Sequence, residues 1–124
     1  MLILFVDDDP ILHGIMKLWL NRHQHEMVSC LNGREACDQM RQQAFDVLIT
    51  DVNMPMMNGI ELVNATCEMA QTPELVIMLT SRCDLKDLRS KLRRDDIHLF
   101  NKPFSPQSVI DLIAEKGSAI GTST

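Results

Sequence analysis

Residues 2–10 read Leu2-Ile3-Leu4-Phe5-Val6-Asp7-Asp8-Asp9-Pro10. Five apolar residues in a row, too few for a helix and rich in strand formers, predict a strand buried on both faces. The run stops at three consecutive acids, and Asp9-Pro10 suits a helix N-cap followed by a first-turn proline. The stretch therefore predicts a strand that delivers carboxylates to its carboxyl end and turns at once into a helix. It is far too short to span a bilayer, and it has neither the basic flank nor the cleavage site of a signal peptide.

The same alternation continues along the chain. Ile11, Ile15, Leu18 and Trp19 recur at helical spacing and mark a first helix from Pro10 to about Arg22. Met27 to Cys30 predicts a second strand, Asn32-Gly33 a turn, and Ala36, Met40 and Phe45 a second helix and its exit. Val47-Leu48-Ile49-Thr50 is a third strand ending at Asp51, with Pro55 and Asn58-Gly59 punctuating the loop after it. A third helix is expected from about Ile60 to Ala70, stopped by Thr72-Pro73. Leu75 to Leu79 is a fourth strand closed by Thr80-Ser81, and Leu85, Leu88 and Leu92 stripe a fourth helix. Ile97 to Phe100 is a fifth strand ended by Asn101-Lys102-Pro103, and Ser105-Pro106 opens a last helix that Gly117 is expected to end. The reading is one domain over residues 1–117 and a small polar tail or linker stub over 118–124.

The 124 residues carry 12 Lys+Arg against 17 Asp+Glu, a net charge of −5, with 45% hydrophobic and 23% charged residues. That composition excludes a disordered acidic tail, a collagen-like fibre and a coiled-coil rod. The acidic balance offers no general attraction to nucleic acid. Cys30, Cys37, Cys67 and Cys83 form no CxxC pair and fall in periodic segments, which argues for a reducing cytoplasm over a disulfide framework or zinc site.

Five βα units imply an α/β fold, a doubly wound parallel sheet with helices on both faces, because each parallel return needs a crossover. Ligands in such folds sit beyond the carboxyl ends of the strands. Asp7 and Asp8 end the first strand, Asp51 the third, Thr80 the fourth and Lys102 the fifth. Three carboxylates gathered there repel one another unless a proton or a cation neutralises them. A hard divalent cation such as Mg²⁺ fits an all-oxygen set. Lys102 can hold a phosphoryl oxygen, Thr80 can donate a hydroxyl, and a carboxylate facing both lysine and cation is a competent nucleophile toward phosphorus.

Val6-Asp7-Asp8-Asp9-Pro10, Asp51-Val52-Asn53-Met54-Pro55-Met56-Met57-Asn58-Gly59, Leu79-Thr80-Ser81 and Asn101-Lys102-Pro103-Phe104 together resemble the receiver domain of bacterial two-component response regulators, the chemotaxis-regulator-like superfamily, over nearly the whole chain. The resemblance implies a flavodoxin-like sheet of strand order 2-1-3-4-5 with five helices. It implies that Asp51 accepts a phosphoryl group from a phosphohistidine on a sensor kinase or phosphotransfer protein. It further implies that Mg²⁺, with Mn²⁺ as a substitute, is held by the Asp8 and Asp51 carboxylates and the Asn53 backbone carbonyl, with Asp7 acting through water. Thr80 would be the switch hydroxyl, Lys102 would contact the phosphoryl group, and the Lys102-Pro103 bond would be cis. Such a domain is a cytoplasmic regulator that assists only its own phosphorylation and dephosphorylation. It signals to an output domain or protein through a surface over about residues 82–113, with homodimerisation on activation as one outcome, and with no direct contact to nucleic acid or membrane.

Two positions depart from the family pattern. Leu99 stands where an aromatic partner of the threonine switch is usual, and Phe100 beside it points to the opposite face by strand alternation. Arg94-Asp95-Asp96 replaces the usual Gly-Ala before the fifth strand. A phosphorylation-independent scaffold and an aspartyl-phosphate phosphatase remain as alternatives. The phosphatase needs a second acid two residues after its nucleophile, where this chain has Asn53. A flavin module would want a hydroxyl- and glycine-rich loop where this chain has three acids.

Other polar residues have plainer readings. Asp9 is read as a cap, His13, His23, His25 and His98 show no ligand spacing, with His23 and His25 given surface roles, and the methionines are gap-fillers. Arg82, Lys86, Arg89, Lys91, Arg93 and Arg94 are read as a solvated helix face, with docking of an acidic partner as the sharper alternative.

Overall fold

The computed structural model describes residues 1–81 and 85–121. Arg82, Cys83 and Asp84, the side chains of Leu85 and of residues 117–121, and the last three tail residues lie outside the described set. Ten elements alternate along the chain: β1 (Leu2–Val6), α1 (Pro10–Arg22), β2 (Glu26–Cys30), α2 (Gly33–Gln42), β3 (Val47–Asp51), α3 (Gly59–Thr66), β4 (Leu75–Thr80), α4 (Leu85–Ser90), β5 (Ile97–Asn101) and α5 (Pro106–Gly121). The strands form one parallel sheet in the order β2-β1-β3-β4-β5, as expected.

Strand alternation builds two cores, one on each face of the sheet. Leu4, Val6, Leu48, Val76 and Met78 face Ala36, Cys37 and Met40 of α2, Leu62 and Val63 of α3, and Leu88 of α4. Ile3, Phe5, Ile49, Ile77 and Leu79 face Met16 and Leu20 of α1 and Val109, Ile110 and Ile113 of α5. β3 and β4 are buried at every residue, which is why their sequences read as apolar runs without alternation. Leu99 packs into the first core and Phe100 into the second, so the two do point to opposite faces.

Several helices differ from their sequence reading. In α1 the buried residues are His13, Met16 and Leu20, while Ile11 (74% exposed), Ile15 and Leu18 face outward. Apolar side chains surround most of this helix, so periodicity alone does not choose a buried face. The helix enters capped by the Asp9 carboxylate, which accepts from the Ile11 N–H at 3.0 Å, and the His13 ring bonded to the Asp7 carbonyl turns its own face inward. α3 ends at Thr66, not near Ala70, because the next three N–H groups bond three residues back and tighten the turn. α4 closes at Ser90 and leaves Leu92 beyond it. α5 runs through Gly117 to Gly121, since an interior glycine costs a helix only about 1 kcal/mol.

Arg94 also departs from the solvated-face reading, with its side chain only 13% exposed. Its guanidinium donates to both Asp96 carboxylate oxygens at 3.0 and 2.8 Å, to the Thr66 and Thr72 hydroxyls at 3.4 and 3.2 Å, and to the Pro73 carbonyl at 3.1 Å. The end of α3, the loop into β4 and the start of β5 are thus held by one planar cation. Arg94→Ala should cost about 1–3 kcal/mol in denaturant unfolding, because the buried Thr66 hydroxyl and Pro73 carbonyl lose this donor. The Arg94 hydrogen bond holds the Asp96 carboxyl below the usual carboxylate range. This contribution is present above that range and is lost as pH falls through the lower folded value, so the variant's stability should depend less on pH in acid than the parent's.

Candidate functional site

The carboxyl ends of β1, β3, β4 and β5 meet at one edge of the sheet, and each contributes a polar group. Asp7 follows the last residue of β1 and is fully buried. Its N–H donates to the Cys30 carbonyl at 3.1 Å, and its Oδ1 accepts from the Asp9 N–H at 2.9 Å. Asp8 is exposed, and among the described residues its carboxylate makes no hydrogen bond or ion pair. Asp51 closes β3 in a buried position, with Oδ1 accepting from the Val52 N–H at 2.9 Å. One carboxylate oxygen from each of Asp7, Asp8 and Asp51 lies within 4.8 Å of the others.

Lys102 enters this cluster from 95 positions away in sequence. Its N–H donates to the Thr80 carbonyl at 2.8 Å, which continues the β4–β5 pairing beyond Asn101. Its Nζ then lies 2.8 Å from Asp7 Oδ2 and 3.4 Å from Asp51 Oδ1. The Lys102-Pro103 peptide is cis. Thr80 is fully buried at the end of β4, paired across the sheet with Asn101. Asn53 is exposed in the loop two residues after Asp51. A hollow of about 370 Å³ lined by Asp9, Leu12, Lys102, Pro103 and Phe104 opens beside the amine.

Burial pushes the Asp51 carboxyl above its ordinary range, and the Asp7 charge adds to this, while Lys102 opposes it without cancelling it. Burial pulls the Lys102 ammonium down, but the hydrogen bond to Asp7 and the charges of both acids outweigh it and hold Lys102 above its usual range. The asymmetry follows from placement. Lys102 is closer to Asp7 than to Asp51, so it gains from two acids while compensating Asp51 only in part.

The loop after Asp51 is built by close backbone contacts. The Gly59 N–H donates to the Val52 carbonyl at 2.8 Å, and the Gly33 N–H donates to the Met57 carbonyl at 3.2 Å. Asn58 and Glu61 form a capping box that starts α3 directly after the loop. Met56 sits at φ 68° with its side chain 79% exposed, a left-handed conformation that a side chain other than glycine or asparagine adopts at a cost.

Sequence reasoning missed two contributors. His13, read with the other histidines as lacking ligand spacing, is buried and bonded to the Asp7 carbonyl. The signal was there, as a single imidazole among the apolar side chains of α1, six residues after Asp7. Gly59 approaches the end of β3 at Asp51 so closely that no side chain fits, which a turn dipeptide alone does not reveal. Of the other histidines, His23 is exposed as expected, while His25 is partly buried and contacts the N-terminal amine at 3.2 Å.

The sequence matches the response regulator receiver domain family over residues 3–114. It is 29% identical over 108 residues to response regulator GtcR of Aneurinibacillus migulanus, and 30% identical over 108 residues to the transcriptional regulatory protein SrrA of Staphylococcus aureus. Each alignment takes in 87% of this chain and 44% of the relative, so the chain spans less than half the length of these proteins. Among solved structures, the chemotaxis response regulator CheY4 of Vibrio cholerae superposes with a TM-score of 0.80 at 28% identity, over 92% of this chain and 96% of that one. A CheY-like receiver domain protein from Methanospirillum hungatei reaches 0.83 over 99% of this chain and 98% of that one, and at 22% identity it shows the shared fold alone.

Proposed function

This chain belongs to the response regulator receiver domain family, and from that premise we propose that it accepts a phosphoryl group on Asp51 and uses it to switch a partner-binding surface. The observation that carries this reading is the Lys102 amine between two buried acids, 2.8 Å from Asp7 and 3.4 Å from Asp51, with Asp8 open to solvent beside them. Three carboxylates and one ammonium leave two negative charges unbalanced, and a divalent cation matches that deficit. The cation would be held by the Asp8 and Asp51 carboxylates and the Asn53 backbone carbonyl, with Asp7 acting through water. Mg²⁺, or Mn²⁺ in its place, supplies neutralising charge to the acceptor and the incoming phosphoryl group.

Asp51 Oδ1 is held by the Val52 N–H and faces Lys102, while Oδ2 has no hydrogen bond among the described residues. A free carboxylate oxygen attacks the phosphorus of a phosphohistidine. The new P–O bond forms as the P–N bond breaks, and a proton already carried on the other ring nitrogen of the phosphohistidine lets the imidazole leave neutral. Lys102 then exchanges part of its carboxylate contact for a phosphoryl oxygen, and Thr80 supplies the switch hydroxyl from the end of β4. Attack by water on phosphorus returns the carboxylate and inorganic phosphate. A coupling of about 1–3 kcal/mol between this event and the surface over about residues 82–113 would change partner affinity roughly five- to 150-fold.

The exposed row of Ile11, Ile15 and Leu18 along α1, starting beside Asp9, supports a protein as the phosphodonor: a sensor kinase or phosphotransfer protein. The proposed setting is the cytoplasm, and no helix among the described residues is long and apolar enough to cross a membrane. Incubation with acetyl phosphate and Mg²⁺ should give one phosphoryl group per chain, and hydroxylamine should remove it, as it does an acyl phosphate. The reading requires that EDTA suppress this labelling. A protein that stays unlabelled with Mg²⁺ present would instead be a scaffold of the same fold.

A further inference from the structure

His13 is 8% exposed and lies outside the residues that would touch a cation or a phosphoryl group. Its Nε2 is 2.6 Å from the Asp7 backbone carbonyl, and its ring stands edge-on to Phe5 with centroids 5.0 Å apart at 89°. A carbonyl only accepts, so the ring proton is on Nε2. Nδ1 is buried and has no hydrogen-bond partner. A histidine at this depth with one nitrogen unsatisfied is a poor choice for packing alone, because an apolar residue of the same shape would avoid the cost.

What the ring holds is a single peptide unit. The Asp7 carbonyl belongs to the bond that joins Asp7 to Asp8, two residues whose side chains take opposite environments, one fully buried and one exposed. The Asp7 side chain is fixed independently by the Asp9 N–H and Lys102. Asp8 has no such anchor among the described residues. The direction of its carboxylate therefore depends on the plane of the preceding peptide, and the one side chain bonded to that plane is His13.

We propose that His13 is a positioning residue: its Nε2–H bond to the Asp7 carbonyl orients the Asp7–Asp8 peptide and so sets the spacing of the carboxylates that receive a divalent cation. This rests on the cation reading of the pocket given above. Groups that orient metal ligands commonly change affinity by about 10–100-fold when removed.

Mg²⁺ affinity, measured by titration calorimetry at one fixed pH, tests the role. His13→Phe keeps the ring against Phe5 and deletes the donor. His13→Gln restores a nitrogen donor at the same reach. The phenylalanine variant should bind Mg²⁺ at least about tenfold more weakly than the parent, and the glutamine variant should recover most of that loss. Parental affinity in His13→Phe overturns the proposal. So does an equal loss in both variants that tracks an equal fall in melting temperature without metal, because that pattern means packing alone. Should His13→Phe not fold, the parent protein answers: a proton on Nε2 that is protected from exchange and shifts on adding Mg²⁺ sustains the role. A proton on Nδ1, or no response to saturating Mg²⁺, ends it. A parent that binds no Mg²⁺ defeats the cation reading itself, whereas normal parental binding with an unaffected variant defeats only the role of His13.

Discussion

Asp51→Asn should reduce phosphoryl incorporation from acetyl phosphate to background while leaving the protein folded. An amide oxygen is a far weaker nucleophile than a carboxylate, and it carries no charge to oppose Lys102 or to help hold a cation. The fold should survive because the one hydrogen bond that Asp51 Oδ1 accepts from the backbone, from the Val52 N–H at 2.9 Å, is available to an amide oxygen as well. Stability should in fact rise at neutral pH. Burial holds the Asp51 carboxyl above its ordinary range, so the folded chain binds that proton more tightly than the unfolded chain does. The ionised group therefore works against the fold once pH exceeds the folded pKa, and this cost disappears below the unfolded value. The amide of the variant never ionises. Without metal, the variant should melt above the parent at pH 7, and the two curves should converge as pH falls below the carboxylate range. Labelling that survives in Asp51→Asn and remains sensitive to hydroxylamine would move the acceptor to Asp7 or Asp8. A collapse of the melting temperature would mean that the carboxylate, its pairing with Lys102 included, is structural.

The parallel sheet could be read from the chain because a buried strand has only one way to look in sequence. Val47 to Ile49 and Leu75 to Leu79 are apolar without alternation, and each is buried on both sides. The acids at strand ends were equally legible, since a charged residue directly after such a run has to emerge at the sheet's carboxyl edge. The opposed directions of Leu99 and Phe100 followed from alternation alone, and they pack into opposite cores.

The facing of α1 was not legible. Leu12, Met16, Trp19 and Leu20 compete with Ile11, Ile15 and Leu18 for the same core, and composition cannot rank two apolar faces of one helix. The bond from the His13 ring to the Asp7 carbonyl ranks them, and it joins the helix to the end of a strand rather than to its own turn. Helix ends failed for a related reason. Thr66 stops α3 without glycine or proline, its hydroxyl donating to the Val63 carbonyl at 2.6 Å, whereas Gly117 fails to stop α5. At the site the residue types were readable but not their inequality. Nothing in the sequence says that Lys102 sits closer to Asp7 than to Asp51, and that difference leaves Asp51 the less compensated acid.

Gly59→Ala should damage the loop after Asp51 more than the same change at Gly14 or Gly33, the other glycines whose surroundings are described. Among the described residues no glycine has a positive φ, so the requirement at 59 is for space, not for an unusual backbone angle. A Cβ there would run into the Asp51 carbonyl oxygen, and it would stand 3.0 Å from both the Asp51 carbonyl carbon and the Val52 Cα. All three are backbone atoms at the end of a buried central strand, and they cannot rotate aside as a side chain would. Either α3 must back away, stretching the 2.8 Å bond from the Gly59 N–H to the Val52 carbonyl, or Asp51 must shift relative to Lys102. Overpacking of this kind costs about 1–3 kcal/mol, several degrees in melting temperature for a chain of this size. The displacement should also slow labelling by acetyl phosphate well beyond what the lost stability explains. Asn58→Ala supplies the control, because it deletes the side chain that caps α3 without adding an atom near Asp51 and should cost about 1 kcal/mol. Near-parental labelling in Asn58→Ala alongside a deep loss in Gly59→Ala would tie reactivity to the position of the Asp51 backbone. Equal labelling in the two variants would show that the acceptor tolerates displacement and that Gly59 serves the packing of α3 alone.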